Sequence, residues 1–250
     1  MSRYVRLSQT QPLFLVERDV TEFIPTVEDI SIVEKSVNHM FLIDRSGSMS
    51  AVLPKLGDDL VARLKELPNG DSVSFGWFSG EGDYHFVIKG FKISEGNDFK
   101  ILEDIIRRNL SPRGCTCFSE ILFDVNQVIE DLLPFGNLFS LFFFTDGYPV
   151  VSNYTQEIIN IQKAIEKVSG KISTALLVGY GEYYNRELLS QMSEWFGGSM
   201  VHNSELKDLR YHIESFILDS HENSGKVDIS LDSNPTQGIV FSLNGRSTLS

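Results

Sequence analysis

One carboxylate and two hydroxyls occur at alternate positions directly after an apolar run. They are Asp44, Ser46 and Ser48, in the segment Asp-Arg-Ser-Gly-Ser-Met-Ser that follows His-Met-Phe-Leu-Ile at 39–43. Three small oxygen donors so spaced on a tight turn can face one point. A hard divalent cation such as Mg²⁺ binds oxygen ligands at about 2.0–2.1 Å. The spacing therefore indicates a metal site on the loop that leaves this strand.

The elements that would position this loop alternate between strands and helices. Predicted strands are 38–43, 73–78, 84–91, 138–144, 172–178 and 199–202, and predicted helices are 51–67, 97–109, 119–133, 155–168, 184–196 and 204–219. The run 138–144 is apolar almost throughout, which is typical of the centre of a parallel sheet covered on both faces. The alternation predicts an α/β fold with a doubly wound, mostly parallel sheet.

Binding sites in such a sheet form at the carboxyl ends of its strands. The Asp44 loop lies at that edge, and so does Thr145-Asp146-Gly147, which follows the run 138–144. Asp44, Ser46 and Ser48 could also act only as turn and helix-capping residues without a metal. A second oxygen cluster at the same edge favours the metal site over that alternative.

The two chain ends have a different character, with short strand-like runs between turn signals. These runs are 13–16, 30–33, 227–231 and 238–243. Such runs are typical of short β-strands. We expect both ends to pair as a small β-rich appendage beside the α/β unit, so the predicted segments are 1–36, 37–220 and 221–250.

The residues of the predicted edge resemble the von Willebrand factor A (vWA) family and its metal-ion-dependent adhesion site (MIDAS). The matching residues are Asp44, Ser46, Ser48, Thr116 in the loop before a helix, and Asp146 in a Thr-Asp-Gly segment. The resemblance covers about 37–220. It implies that the two serines and the threonine contact the ion, while the two aspartates act largely through water. A departure from the family pattern is the pair of cysteines that flank the threonine.

The resemblance implies Mg²⁺ as the ion, with Mn²⁺ or Ca²⁺ as alternatives. Asp44 and Asp146 would neutralise a divalent ion, and the remaining protein ligands would be uncharged hydroxyls. Such an ion still attracts another anionic oxygen, which an Asp or Glu of a partner protein can supply by displacing water. We therefore predict a protein–protein interaction module. The resemblance further implies an intracellular, bacterial multiprotein assembly in which an ATPase or a kinase is the partner.

Two other functional classes stay open. One is a scaffold protein whose metal only orders the loops, and the other is a hydrolase with Ser46 or Ser48 as its nucleophile. The hydrolase is disfavoured because the sequence has no Gly-x-Ser-x-Gly elbow and no histidine in the predicted edge loops. The segment 179–181, Gly-Tyr-Gly, lacks the third glycine of a dinucleotide loop. We expect no catalytic residues and no organic cofactor.

Composition restricts the class of partner further. The chain has 250 residues, 42% hydrophobic content and a formal net charge of −12, with no block of basic residues. These features disfavour binding to nucleic acid or anionic lipid. The start of the chain lacks a signal-peptide core, and the run 138–144 is too short to span a bilayer. We expect a cytoplasmic protein in which Cys115 and Cys117 are reduced thiols.

Overall fold

The computed structural model describes most of the predicted α/β unit and parts of both ends. The described residues are 13–17, 20–24, 36–96, 99–135, 138–182, 184–203, 213, 215–217, 227–229, 239–241 and 247–249. The chain divides into two compact units, one of Lys35–Ser224 and one that combines Met1–Glu34 with Gly225–Ser250. The sequence places the corresponding boundaries after residues 36 and 220.

The unit formed by the chain ends contains short antiparallel strands. Strand β1 (Leu13–Glu17) pairs with β2 (Val20–Ile24) in a hairpin. Three strands near the other end, Val227–Ile229, Ile239–Phe241 and Ser247–Leu249, form a second sheet. Within the described residues these are separate sheets. The strands of each chain end pair with one another, whereas we expected strands of one end to pair with strands of the other. The strand predicted at 30–33 lies outside the described residues.

A six-stranded sheet forms the centre of the second unit. Its strands are β3 (Val37–Asp44), β4 (Ser72–Phe78), β5 (Tyr84–Lys92), β6 (Leu138–Thr145), β7 (Ile172–Tyr180) and β8 (Ser199–Asn203). The order is β5-β4-β3-β6-β7-β8, in which β5 is antiparallel to β4 and all other neighbours are parallel. The predicted doubly wound, mostly parallel sheet is confirmed.

Helices cover both faces of this sheet. In the described residues they are α1 (Leu53–Leu64), α2 (Phe99–Asn109), α3 (Ser119–Leu132), α4 (Tyr154–Val168) and α5 (Arg186–Phe196). The first two pack on one face and the other three on the opposite face. The helix predicted at 204–219 lies mostly outside the described residues, of which 213 and 215–217 are helical. None of the described helices combines the length and apolar character that crossing a membrane requires.

The central strand β6 is apolar on both faces because it is covered on both. Phe142 belongs to the core under α1 and α2, whereas Phe143 belongs to the core under α3, α4 and α5. Phe142 stacks on Phe41 with 4.7 Å between ring centroids, and Phe143 stacks on Phe78 at 4.9 Å. Successive strand residues point to opposite faces, so each core layer receives every second side chain. This packing fixes β3 beside β6 and so fixes the loops that leave them.

Candidate metal centre

Asp44 is the last residue of β3 and joins the ends of two strands. Its side chain is fully buried. Oδ1 accepts a hydrogen bond from the Ser46 backbone N–H at 2.7 Å, and Oδ2 accepts one from Thr145 Oγ1 at 2.5 Å. Thr145 ends β6 and is also fully buried. The carboxylate therefore fixes the turn after β3 against the end of β6.

A chain of oxygen atoms runs outward from this buried carboxylate. Ser46 Oγ lies 3.0 Å from Ser48 Oγ, and Ser48 Oγ donates to Asp146 Oδ1 at 2.8 Å. Ser46 is buried, Ser48 is exposed and Asp146 is partly buried. The loops after β3 and β6 thus bring three of the predicted ligands into contact. The outer end of this series of oxygen atoms faces solvent.

Thr116, the third predicted hydroxyl ligand, lies in the loop between α2 and α3. Its side chain is buried, and its Oγ1 would lie 3.3 Å from a Cβ atom built on Gly147, the residue after Asp146. The Val150 backbone N–H donates to the Thr116 carbonyl at 2.7 Å. Thr116 therefore sits against the loop that carries Asp146, as a shared ion would require.

Backbone hydrogen bonds connect the Thr116 loop to the loop after β3 as well. The Gly47 N–H donates to the Gly114 carbonyl at 3.2 Å, and the Arg113 N–H donates to the Arg45 carbonyl at 2.7 Å. All five predicted ligands therefore lie on three loops that meet at the carboxyl edge of the sheet. These bonds join main-chain atoms, so the protein itself connects the loops.

Three supporting residues have roles that the sequence did not predict. The buried carboxylate of Glu157 on α4 accepts from the Phe118 and Ser119 backbone N–H groups at 2.8 and 2.9 Å. These N–H groups lie at the start of α3, where the helix itself provides no acceptor. Glu157 therefore fixes the segment directly after Thr116. Thr145 belongs to the Thr-Asp-Gly segment named in the sequence, but the sequence does not indicate its hydrogen bond to Asp44.

The third supporting residue is Arg45, which lies between the predicted ligands of the first loop. Its guanidinium is buried and stacks 3.2 Å from the centre of the Trp77 ring. It also donates to the Asn109 carbonyl at 3.2 Å. Stacking of a guanidinium on an indole combines cation–π attraction with apolar contact. Arg45 thus anchors the first loop on β4 and on the end of α2.

Electrostatics at the site favour a cation. Burial raises the pKa of Asp44 to about 6, although hydrogen bonds from Thr145 and Ser46 act in the opposite direction. Burial also raises the pKa of Asp146, against the hydrogen bond from Ser48. Both carboxylates are therefore costly as anions without a counter-charge. Two carboxylates and three hydroxyls form an all-oxygen donor set, which fits a hard divalent ion.

The cysteines beside Thr116 are both free thiols, as predicted. Cys115 is exposed and Cys117 is buried. Burial, and then the nearby Glu157, raise the pKa of Cys117 to about 12. Without a metal this thiol is therefore protonated at neutral pH, and its Sγ lies 3.6 Å from Glu157 Oε1. No group of three or more His, Cys, Asp or Glu side chains within the described ranges could hold a metal, so the candidate centre depends on its hydroxyls.

The fold has close matches among solved structures, although no family model and no curated protein matches the sequence. A von Willebrand factor type A protein from Catenulispora acidiphila superposes with a TM-score of 0.62 at 16% identity. The match covers 82% of this chain and 46% of that one. The fold is that of a vWA domain. The chain thus spans less than half of the length of that protein.

Two further matches to the vWA fold come from structures described with a metal. Manganese-loaded TRAP protein from Plasmodium vivax has a TM-score of 0.56 and 16% identity, over 86% of this chain and 91% of that one. Proximal thread matrix protein 1 from the mussel byssus, described with a zinc-occupied MIDAS motif, has a TM-score of 0.57 and 12% identity. That match covers 78% of this chain and 50% of that one. At 12–16% identity the similarity shows the fold alone and does not show a shared function.

Proposed function

We propose that this chain is a divalent-metal-dependent protein-interaction module that binds an acidic side chain of a partner. The observation that carries the proposal is the convergence of two carboxylates and three hydroxyls, from three separate loops, at one edge of the sheet. The metal-loaded vWA structures support it, since they have the same fold. The proposed ion is Mg²⁺, with Mn²⁺ or Ca²⁺ as alternatives.

The five predicted ligands would have different roles in binding such an ion. Ser46, Ser48 and Thr116 would supply hydroxyl ligands, and Asp44 and Asp146 would act through water or directly. Asp44 already orients Ser46 through its backbone N–H. The bound ion would supply a positive centre for an incoming carboxylate. Because the two aspartates only neutralise it, a further anionic ligand from a partner is electrostatically favourable.

The proposal also covers the cellular setting of the chain and its lack of enzymatic activity. We propose that the chain works in an intracellular multiprotein assembly with an ATPase or kinase partner, a class implied by the family resemblance alone. We propose no hydrolase activity, because a Ser–His arrangement needs an imidazole within hydrogen-bonding reach of the serine. In the described residues the Ser46 and Ser48 side chains hydrogen-bond to each other and to the Asp44 and Asp146 carboxylates, and to no histidine.

The scaffold alternative differs in what the ion does. If the metal only ordered the loops, its removal would cost much of the stability. The backbone bonds from Gly47 to Gly114 and from Val150 to Thr116 connect these loops through the protein itself. This connection favours the interaction module. Asp44→Ala would be a poor test, because it would also leave the Ser46 N–H and the Thr145 hydroxyl without their acceptor.

The outermost carboxylate gives a cleaner test. We expect isothermal titration of the full chain to show one Mn²⁺ site, and Asp146→Ala to weaken it by about 10- to 100-fold with little change in thermal stability. Asp131→Ala is the matched control, since this exposed aspartate lies at the far end of α3. Capture of a partner from the native cell should disappear with chelator and in Asp146→Ala. Equal Mn²⁺ binding by Asp146→Ala and wild type would refute the site, and stability lost with capture retained would favour the scaffold.

A further inference from the structure

An uncharged loop with exposed apolar side chains begins directly after Asp146. Residues 147–156 contain no Asp, Glu, Lys or Arg, although the chain has a net charge of −12. Tyr148 is 52% exposed, Val150 59% and Tyr154 45%. They are half of the large apolar side chains that are exposed in the described part of the chain. We call residues 147–154, which end at the first residue of α4, the apolar loop.

The apolar loop is held in place by hydrogen bonds to three other elements. Val150 donates its N–H to the Thr116 carbonyl, as described above. Ser152 donates its backbone N–H and its hydroxyl to the two oxygens of Glu81, at 3.2 and 2.6 Å. Asn185, at the start of α5, donates to the Tyr154 hydroxyl at 3.0 Å. The exposed side chains therefore start from a fixed backbone, which reduces the entropy lost when a partner covers them.

The charges near the predicted ligands, at the carboxyl edge of the sheet, restrict which partner segment can cover the apolar loop. Beside the apolar loop, Glu81 and Glu120 place carboxylates on the turn between β4 and β5 and on the start of α3, whereas Asp83 on the same turn is paired with Arg113. A partner segment with several acidic residues would be repelled there. A segment with one carboxylate for the ion and apolar neighbours would meet the uncharged loop instead. Tyrosine combines a large apolar ring with a polar end, which suits an interface.

We infer that the apolar loop is the second half of the partner-binding surface. The partner is a protein segment in which an aromatic or aliphatic side chain lies within two residues of the metal-binding Asp or Glu. This inference rests on the proposed function. It adds a specificity that the metal site alone does not have, because an ion accepts any accessible carboxylate.

A displayed library of random heptapeptides tests this preference. The full chain is immobilised with Mn²⁺, and bound phage are eluted with EDTA. We expect the eluted peptides to be enriched in Asp or Glu with an apolar neighbour within two positions. The best peptide, made synthetically, should bind Tyr148→Ser/Val150→Ser at least about tenfold more weakly than wild type.

Two controls separate this effect from loss of folding or of metal. Leu133→Ser removes a comparably exposed apolar side chain, 49% exposed, just after the far end of α3, and it should leave peptide affinity unchanged. Mn²⁺ titration and thermal melting of the double variant should match wild type, since neither side chain is a proposed ligand.

The other outcomes fail in distinguishable ways. Enrichment of acidic residues without apolar neighbours, or equal peptide affinity in the double variant, would overturn this inference and leave the proposed function intact. No metal-dependent enrichment of acidic residues would overturn both. A Mn²⁺-dependent dimer in sedimentation, lost in the double variant, would show that a second copy of the chain covers the loop and would also overturn the inference.

Discussion

Burial and charge conflict at Asp44 more than at any other predicted ligand. Its carboxylate is fully buried, and burial raises its pKa from 3.8 to about 6. Between these two pH values the metal-free fold binds more protons than the unfolded chain does. The stability of the metal-free protein is therefore reduced as pH rises through this window, with a penalty of about 3 kcal/mol above it.

This conflict predicts an unusual effect of Asp44→Asn. In EDTA at pH 7 the variant should be more stable than wild type by up to about 3 kcal/mol, because an amide carries no charge to bury. The difference should shrink as pH falls from 6 to about 4, where Asp44 becomes protonated. Urea unfolding at several pH values measures it.

Added Mn²⁺ provides the control for that measurement. It should stabilise wild type and not Asp44→Asn, because only wild type retains the full charge of the site. A variant that is less stable than wild type in EDTA at pH 7 would contradict this account and would show that the hydrogen bonds to Asp44 outweigh the cost of its burial.

The five ligand positions could be predicted because they belong to short local motifs that follow recognisable strands. Arg45 and Glu157 could not, since their roles come from contacts with residues far away in the chain. Glu157 contacts Ser119 across 38 positions, and nothing in the sequence near Glu157 indicates this contact. Thr145 lay inside a recognised motif, yet its bond to Asp44 spans 101 positions and required the pairing of β3 with β6.

The close packing of α5, β7 and β8 depends on a residue without a side chain. Gly198 lies between α5 and β8, and a Cβ atom built there would be 2.2 Å from the Ala175 carbonyl oxygen on β7. Backbone atoms of a central strand cannot move away cheaply. The approach of β8 to the sheet therefore requires glycine at this position.

We expect Gly198→Ala to destabilise the protein by about 1–3 kcal/mol through overpacking. Gly170→Ala is the matched control, because a Cβ atom at Gly170 would meet nothing within 4 Å. Chemical denaturation of both variants measures the difference. Equal stability of the two would show that β8 shifts without cost.

The strands and helices of the α/β unit were predictable because their apolar periodicity is strong. Most boundaries in the structure fall within two residues of the predicted ones; for example, α3 spans Ser119–Leu132. The pairing at the chain ends was harder to predict. Short strands such as Leu13–Glu17 carry little information about their partners, because turn geometry and tertiary contacts determine register there.

At the scale of the whole molecule, the candidate metal centre lies in one of the two compact units and the chain ends lie in the other. All five predicted ligands lie in Lys35–Ser224, as do both apolar cores of the described residues. A unit that contains its own core can fold alone. We therefore expect the fragment 35–224 to melt cooperatively and to bind Mn²⁺ with the affinity of the full chain.

Thermal melting and Mn²⁺ titration of the fragment and the full chain check this expectation. The fragment with Asp146→Ala serves as its negative control. An unfolded fragment would show that the terminal segments are needed for folding, and a folded fragment that does not bind Mn²⁺ would contradict the independence of the metal centre.

The two outer strands of the sheet differ from its interior in a way that limits self-association. Lys89 and Lys92 are exposed on β5, and the register between β5 and β4 shifts twice. At the other border β8 is only five residues long. Lysines, irregular register and short length all hinder addition of a strand from another molecule. Polymerisation by continuous sheet extension is therefore disfavoured, and an assembly of several copies would need contacts other than strand addition at these two borders.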